Sequence, residues 1–137
     1  MALKGLYPTN LIFTTVFQAD DGPKNAQNGV IRSKAELRKA LRLQALSIED
    51  KVDFEKEQLI FLALGECRSG HEAQINSVTF LTDRGRGLPS LTEVSYWEIT
   101  VPGAIAEAEA DPDLQPTYPM HVIKLKKLDG ETTFNKN

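Results

Sequence analysis

The chain has 137 residues, of which 41% are hydrophobic and 26% are charged, and this composition excludes disordered and collagen-like classes. Its formal net charge of −3 at pH 7 argues against a nucleic-acid-binding protein that relies on an overall positive field. Cys67 is the only cysteine, so an intramolecular disulfide is excluded. The length predicts a single domain over residues 1–137.

The start of the chain bears on the compartment. Residues 1–17 lack the apolar segment and the small-residue cleavage site of a signal peptide. We therefore expect a cytoplasmic protein unless a leader has been removed. We also expect no membrane span, because the apolar run at residues 59–64 is far shorter than the roughly 20 residues of a membrane-crossing helix.

Two extended segments are predicted before the first helix. Residues 11–17 are rich in β-branched and aromatic side chains and predict a first strand. Residues 19–29 contain Asp, Gly, Pro and Asn, which favour a loop. A short strand is then predicted at residues 30–31.

One helix is predicted after this short strand. Ser33 precedes Glu36 by three residues, which is the spacing of a capping box, so the helix begins at Lys34. Its apolar stripe is narrow, and it ends between residues 43 and 46. Three basic residues recur every four positions on another face and predict a solvated surface, with an acidic partner as the alternative: Lys34, Arg38 and Arg42.

The centre of the fold is predicted at residues 59–64, which are apolar at every position. Such a run predicts a strand covered on both faces. A turn at residues 68–70 follows, and a second extended run covers residues 73–81. The two runs predict an antiparallel hairpin with a long loop.

A further strand is predicted at residues 91–101, where the apolar alternation changes phase. Two explanations fit: the strand is buried on both faces near its middle, or a β-bulge at Tyr96 and Trp97 resets the register. The same change of phase in residues 75–80 suggests that neighbouring strands bend together. Burial of Trp97 in the core is favoured over an exposed binding pair with Tyr96.

The last third of the chain predicts a linker and a hairpin. Residues 104–117 form an acidic connection without the ligand spacing of a calcium loop. Residues 120–128 predict a half-buried strand. Asp129 and Gly130 form a dipeptide typical of a type I′ turn, so residues 131–134 are expected to return beside that strand.

Few residues in the sequence indicate catalysis or metal binding. Cys67 and His71 lie four apart between Glu66 and Glu72, a set that is weak evidence for an activated thiolate or for zinc. Zinc needs three or four ligands, and the only other histidine, His121, is distant in sequence. We therefore predict no catalytic residues, no metal and no cofactor. A small thiol at a strand end and a histidine on a loop explain the same residues.

Short motifs in order along residues 30–127 resemble a known family. They are a helix start at residues 31–37 (IRSKAEL), an entry at 52–54 (VDF) into an apolar strand ending at Gly65, and a turn at 69–71 (SGH). A run at 74–78 (QINSV) and a segment at 119–125 (PMHVIKL) follow. This order is similar to the C-terminal domain of the PrcB family, named for a subunit of a bacterial protease complex. The chain departs from the family at Ser69 and His71, where a glycine and an aromatic residue are usual.

The resemblance implies a non-catalytic accessory subunit or regulator of a protease. The fold expected from the residues is α+β, a mainly antiparallel sheet in a curled sandwich or half-barrel, with one helix packed on it. The expected partner is a protein, with a protease as one class, and neither nucleic acid nor a membrane. A small-ligand or metal-binding domain with a cavity near Trp97 and His121 is the alternative. The expected contact residues form one loop: Arg68, Ser69, Gly70 and His71.

Overall fold

The computed structural model describes residues 6–67, 71–83, 90–100 and 115–137, and its strands form two four-stranded sheets. The outer sheet has the order β1 (Leu6–Asn10), β5 (His71–Asp83), β6 (Leu91–Thr100) and β8 (Glu131–Lys136). The central sheet has the order β2 (Thr14–Ala19), β7 (Met120–Lys126), β4 (Glu57–Ala63) and β3 (Gln27–Ile31). All of these pairings are antiparallel except that of β6 with β8, which is parallel. The predicted α+β, mainly antiparallel fold is confirmed.

The central sheet lies between the outer sheet and a helical layer, which explains the unbroken apolar run in β4. Leu59 and Phe61 belong to the core on the helical side, whereas Ile60 and Leu62 belong to the core between the sheets. Successive strand side chains point to opposite faces, so a strand covered on both faces needs an apolar residue at every position. The prediction for β4 is confirmed.

The helical layer begins where the capping box predicts. α1 (Lys34–Leu41) follows Ser33, whose Oγ accepts a hydrogen bond from the Glu36 N–H at 3.1 Å. Glu36 Oε2 accepts in return from the Arg32 N–H at 2.9 Å, one residue before the cap. The first contact satisfies a backbone donor that a helix start would leave unpaired, and the second pairs the N–H of the residue before the cap.

The helix ends earlier than predicted, at Arg42. This residue has φ of 34°, which a non-glycine residue rarely adopts. Three short helical segments continue the layer: a 3₁₀ turn (Arg42–Gln44), α2 (Ala45–Ile48) and a second 3₁₀ turn (Glu49–Lys51). The basic stripe is divided accordingly, because Arg38 remains on α1 and forms an ion pair with Glu49 at 3.1 Å.

Both predicted hairpins are wrong in their pairing. β4 is hydrogen-bonded to β3 on one edge and β7 on the other, so β5 has no edge to join and crosses to the outer sheet. Gly130 before β8 has a left-handed φ of 93°, but Asp129 has no positive φ, so the predicted type I′ turn is wrong as well. β8 nevertheless pairs in parallel with β6 in the other sheet.

Three other predictions need correction. The first strand predicted at residues 11–17 is divided between β1 and β2, which lie in different sheets. The register change lies in β5 between Ile75 and Ser77, so the bulge is on the strand opposite the one predicted. Tyr96 then packs against the inter-sheet core, and Trp97 is 45% exposed rather than buried.

Within the described ranges, no helix is long and apolar enough to cross a membrane. The acidic connection predicted at residues 104–117 lies outside the described residues, apart from residues 115–117.

Candidate functional site

The two sheets meet at two sides, and one of them, here called the closed junction, is held by hydrogen bonds. β1 pairs only with the last five residues of β5, and among the described residues no strand adjoins that edge of β5 before residue 79. Gln18 Nε2 donates to the carbonyl of Ala73 at 2.9 Å, and the Leu11 N–H donates to the carbonyl of Val78 at 2.9 Å. These contacts satisfy edge groups that burial would otherwise leave unpaired.

His121 is the centre of the closed junction. It is fully buried on β7, and the Ile75 N–H of β5 donates to its Nδ1 at 2.8 Å. Nδ1 must therefore be unprotonated, so Nε2 carries the hydrogen and donates to Thr15 Oγ1 at 2.7 Å. Burial lowers the pKa of His121 to about 4. A neutral ring thus links the two sheets.

The opposite side, here called the open seam, lies between β3 and β8. Both strands are described in full, and no backbone hydrogen bond joins them. Two clefts of about 480 and 290 Å³ follow one another along the seam, and Asn28 lines both. Each strand therefore presents an edge whose backbone N–H and C=O groups pair with no other strand that the structure describes.

Core side chains reach the surface at this seam. Val30 and Phe134 line the larger cleft, and Leu64 and Tyr96 line the smaller one. All four are only partly buried while they pack against the inter-sheet core. The seam therefore combines a polar strand edge with an apolar floor.

A charged cluster stands at one end of the smaller cleft. Glu98 lines the cleft, and its Oε2 accepts from Lys136 Nζ at 3.1 Å. His71 Nδ1 lies 3.3 Å from Glu98 Oε1, within ion-pair distance for a protonated ring, although the two atoms do not meet hydrogen-bond geometry. Glu98 is thus shared between two basic side chains.

The structure places one of the four predicted contact residues. Arg68, Ser69 and Gly70 lie outside the described residues. His71 is the first residue of β5 and belongs to the charged cluster at the end of the open seam. Of the predicted contact loop, His71 therefore lies at one end of the seam.

Cys67 does not have the surroundings of a nucleophile. Its backbone forms an isolated bridge with Thr117, with N–H···O distances of 2.8 and 2.7 Å. Burial, and secondarily the charge of Glu98, raise the pKa of its thiol, which disfavours the reactive thiolate. In the part of the chain that the structure describes, no three His, Cys, Asp or Glu side chains are grouped as metal ligands.

The alternative of a ligand cavity shared by Trp97 and His121 is not supported. Trp97 projects from the outer sheet into solvent, whereas His121 is fully buried with both ring nitrogens engaged. Trp97 lies on the outer face of the outer sheet, because it alternates with the inward-facing Tyr96. His121 lies on the other side of that sheet, where it contacts β5 from β7.

None of the family models, curated proteins or solved structures compared with this chain matches it. The open seam was missed by sequence reasoning because it arises between strands that are distant in the chain. One signal was present: residues 27–31, Gln-Asn-Gly-Val-Ile, contain no charged residue.

Proposed function

We propose that the protein is a non-catalytic protein-binding module that holds an extended segment of a partner at the open seam. The observation that carries the proposal is the pair of unpaired strand edges above partly exposed core side chains. An extended peptide offers alternating backbone donors and acceptors at the spacing of a strand edge, and every second side chain would enter a cleft.

The edge of β3 is the docking edge in this proposal. Natural sheets protect edges with charge, proline, bulges or covering contacts. β1 contains Pro8, β2 has a register shift after Thr15 and faces the closed junction, and β8 carries Glu131 and Lys136. Among the four edge strands that the structure describes, β3 alone has none of these devices.

The length of β3 and its distance from β8 determine what kind of partner segment, here called the guest, the open seam can hold. β3 has five residues, so it pairs with a guest segment of about five residues in extended form. Cα atoms of β3 and β8 come within 8 Å at their nearest. A strand between two edges needs about 9.5 Å, so β8 moves outward at that point on binding.

The similarity to PrcB-family domains implies a protease as the partner, and nothing in the seam selects for one. The seam selects for an extended chain with apolar residues at alternate positions. The charged cluster at His71 and Glu98 adds a polar contact at one end.

The test is a displayed library of random short peptides selected on the whole chain. We expect enriched peptides with alternating apolar residues, which protect the amides of β3 from hydrogen exchange. Asn28→Lys places a charge where the two clefts meet and should weaken binding at least about tenfold. Asn135→Lys is the matched control, since Asn135 is exposed on β8 but lines neither cleft.

Two outcomes would contradict the proposal in different ways. If no peptide is enriched, the chain is not a peptide-binding module. If peptides are enriched but bind Asn28→Lys normally and bind His71→Ala or Arg68→Ala weakly, the contact surface is the predicted loop and the seam is not the site.

A further inference from the structure

A further cleft lies away from the seam, between the loop before β3 and the end of α1. Its volume is about 620 Å³, which is within the usual range for small-molecule sites. The loop contributes Asp21 and Lys24, and the helical layer contributes Lys39, Arg42 and Gln44. Gln44 fixes the two walls together, because its Nε2 donates to the carbonyl of Asp21.

Three cations line this cleft, which is here called the basic cleft. Lys24, Lys39 and Arg42 are exposed, and within the described residues none of them forms an ion pair. Asp21 is the one acidic residue in the lining. The net charge of the lining is therefore positive in a chain whose net charge is −3.

The backbone break at Arg42 creates this arrangement. In an uninterrupted helix, Arg42 would continue the stripe of Lys34 and Arg38, four residues apart. The positive φ of Arg42 instead ends α1, and the side chain lines the cleft beside Lys39. Arg38 remains outside the cleft and pairs with Glu49.

We propose that the basic cleft binds a small, soluble, multiply charged anion, a phosphate ester or a polycarboxylate. Arginine offers paired N–H donors that match either group, and the lysines add point charges. No described lining residue is aromatic, so the cleft offers no stacking surface for a nucleobase. This site is independent of the open seam and of the peptide that the seam holds.

Titration calorimetry of the whole chain with inorganic tripolyphosphate and with citrate tests the proposal. We expect binding that weakens as salt is added, and the tighter of the two probes identifies the ligand group. Lys39→Gln and Arg42→Gln should each weaken binding at least about tenfold, the effect of losing one charged hydrogen-bonding partner. Lys34→Gln, on the same helix but outside the cleft, should bind like the wild type.

Asp21→Asn is the decisive variant, because it removes the only acidic side chain of the lining while keeping the carbonyl that Gln44 contacts. Affinity should rise, which a merely damaged fold would not produce. The proposal is wrong if neither probe binds, if Lys34→Gln weakens binding as much as Lys39→Gln, or if Asp21→Asn leaves affinity unchanged or lowers it.

Discussion

The closed junction and the open seam join the same two sheets in opposite ways. At the closed junction, Gln18 and His121 cross from the central sheet and bond to the free edge of β5. At the open seam, β3 and β8 face each other with no backbone hydrogen bond, above Tyr96 and other partly buried core residues. Unpaired edge groups are costly only where water is excluded, so an edge can stay free where it is wet.

This difference in hydrogen bonding indicates on which side of the fold a partner could bind. A partner at the closed junction would have to displace buried hydrogen bonds that are already made. A partner at the open seam would break no backbone hydrogen bond between β3 and β8, although β8 would have to move outward. If the proposed function holds, the contacts that stabilise the fold and those that bind a partner lie on opposite sides of the same inter-sheet core.

The largest expected effect compares a buried residue with a partly buried one, both of which line clefts of the open seam. Leu62→Ala removes a buried side chain and should lower the free energy of unfolding by roughly 2–5 kcal/mol. Phe134→Ala should cost less than the roughly 3–5 kcal/mol typical of a fully buried phenylalanine, because it is only partly buried. Urea denaturation measures both. Equal losses in the free energy of unfolding would mean that Phe134 is packed as tightly as Leu62.

The second expected effect is a pH dependence that originates in the closed junction. Burial lowers the pKa of His121 to about 4, against an unfolded value near 6.5. Below 6.5 the unfolded chain therefore binds a proton that the folded chain does not. Stability should fall as the pH drops from about 6.5 to 4, by about 3 kcal/mol in total.

The control for this pH effect is a change at the ring itself. His121→Gln should flatten the dependence of the urea midpoint on pH between 6.5 and 4.5. Both proteins are best compared in a His71→Gln background, since the chain has two histidines. An unchanged slope in the double variant would show that the closed junction does not depend on a neutral ring.

The smallest expected effect concerns the thiol near the charged end of the seam. Burial and then Glu98 raise the pKa of Cys67, so native Cys67 should react with a thiol reagent more slowly than free cysteine at pH 7.5. Glu98→Gln should speed the reaction modestly, and unfolding should remove the protection. Fast modification of the native wild type would contradict the structure and favour a reactive cysteine.

The parts of the fold that sequence predicts are those encoded in neighbouring residues. Apolar side chains at every position of β4 predict coverage on both faces, and Ser33 with Glu36 predicts the helix start. Strand partners are not encoded in this way. Gly130 has the positive φ that the Asp129–Gly130 dipeptide predicts, but this angle does not determine whether β8 joins β7 or crosses to β6.

The same limit applies to the candidate sites. The alternation around Tyr96 and Trp97 is ambiguous until the bulge in β5 is known, so the exposed Trp97 could not be assigned to a face. The open seam depends on which strands end up at sheet edges. The basic cleft depends on a single backbone angle at Arg42, which no residue pattern indicates for an arginine.

The parallel pairing of β8 with β6 also determines when the outer sheet can be completed during synthesis. Leu91 of β6 pairs with Glu131 of β8, which follows every other described strand in the chain. Until β8 has left the ribosome, β6 has a strand on one side only, and Tyr96 lacks its neighbour Lys136. Such non-local pairing forms slowly, on the order of milliseconds to seconds in sheet-rich domains. The nascent chain therefore exposes an unpaired edge of β6 after β6 has been made and before β8 has docked.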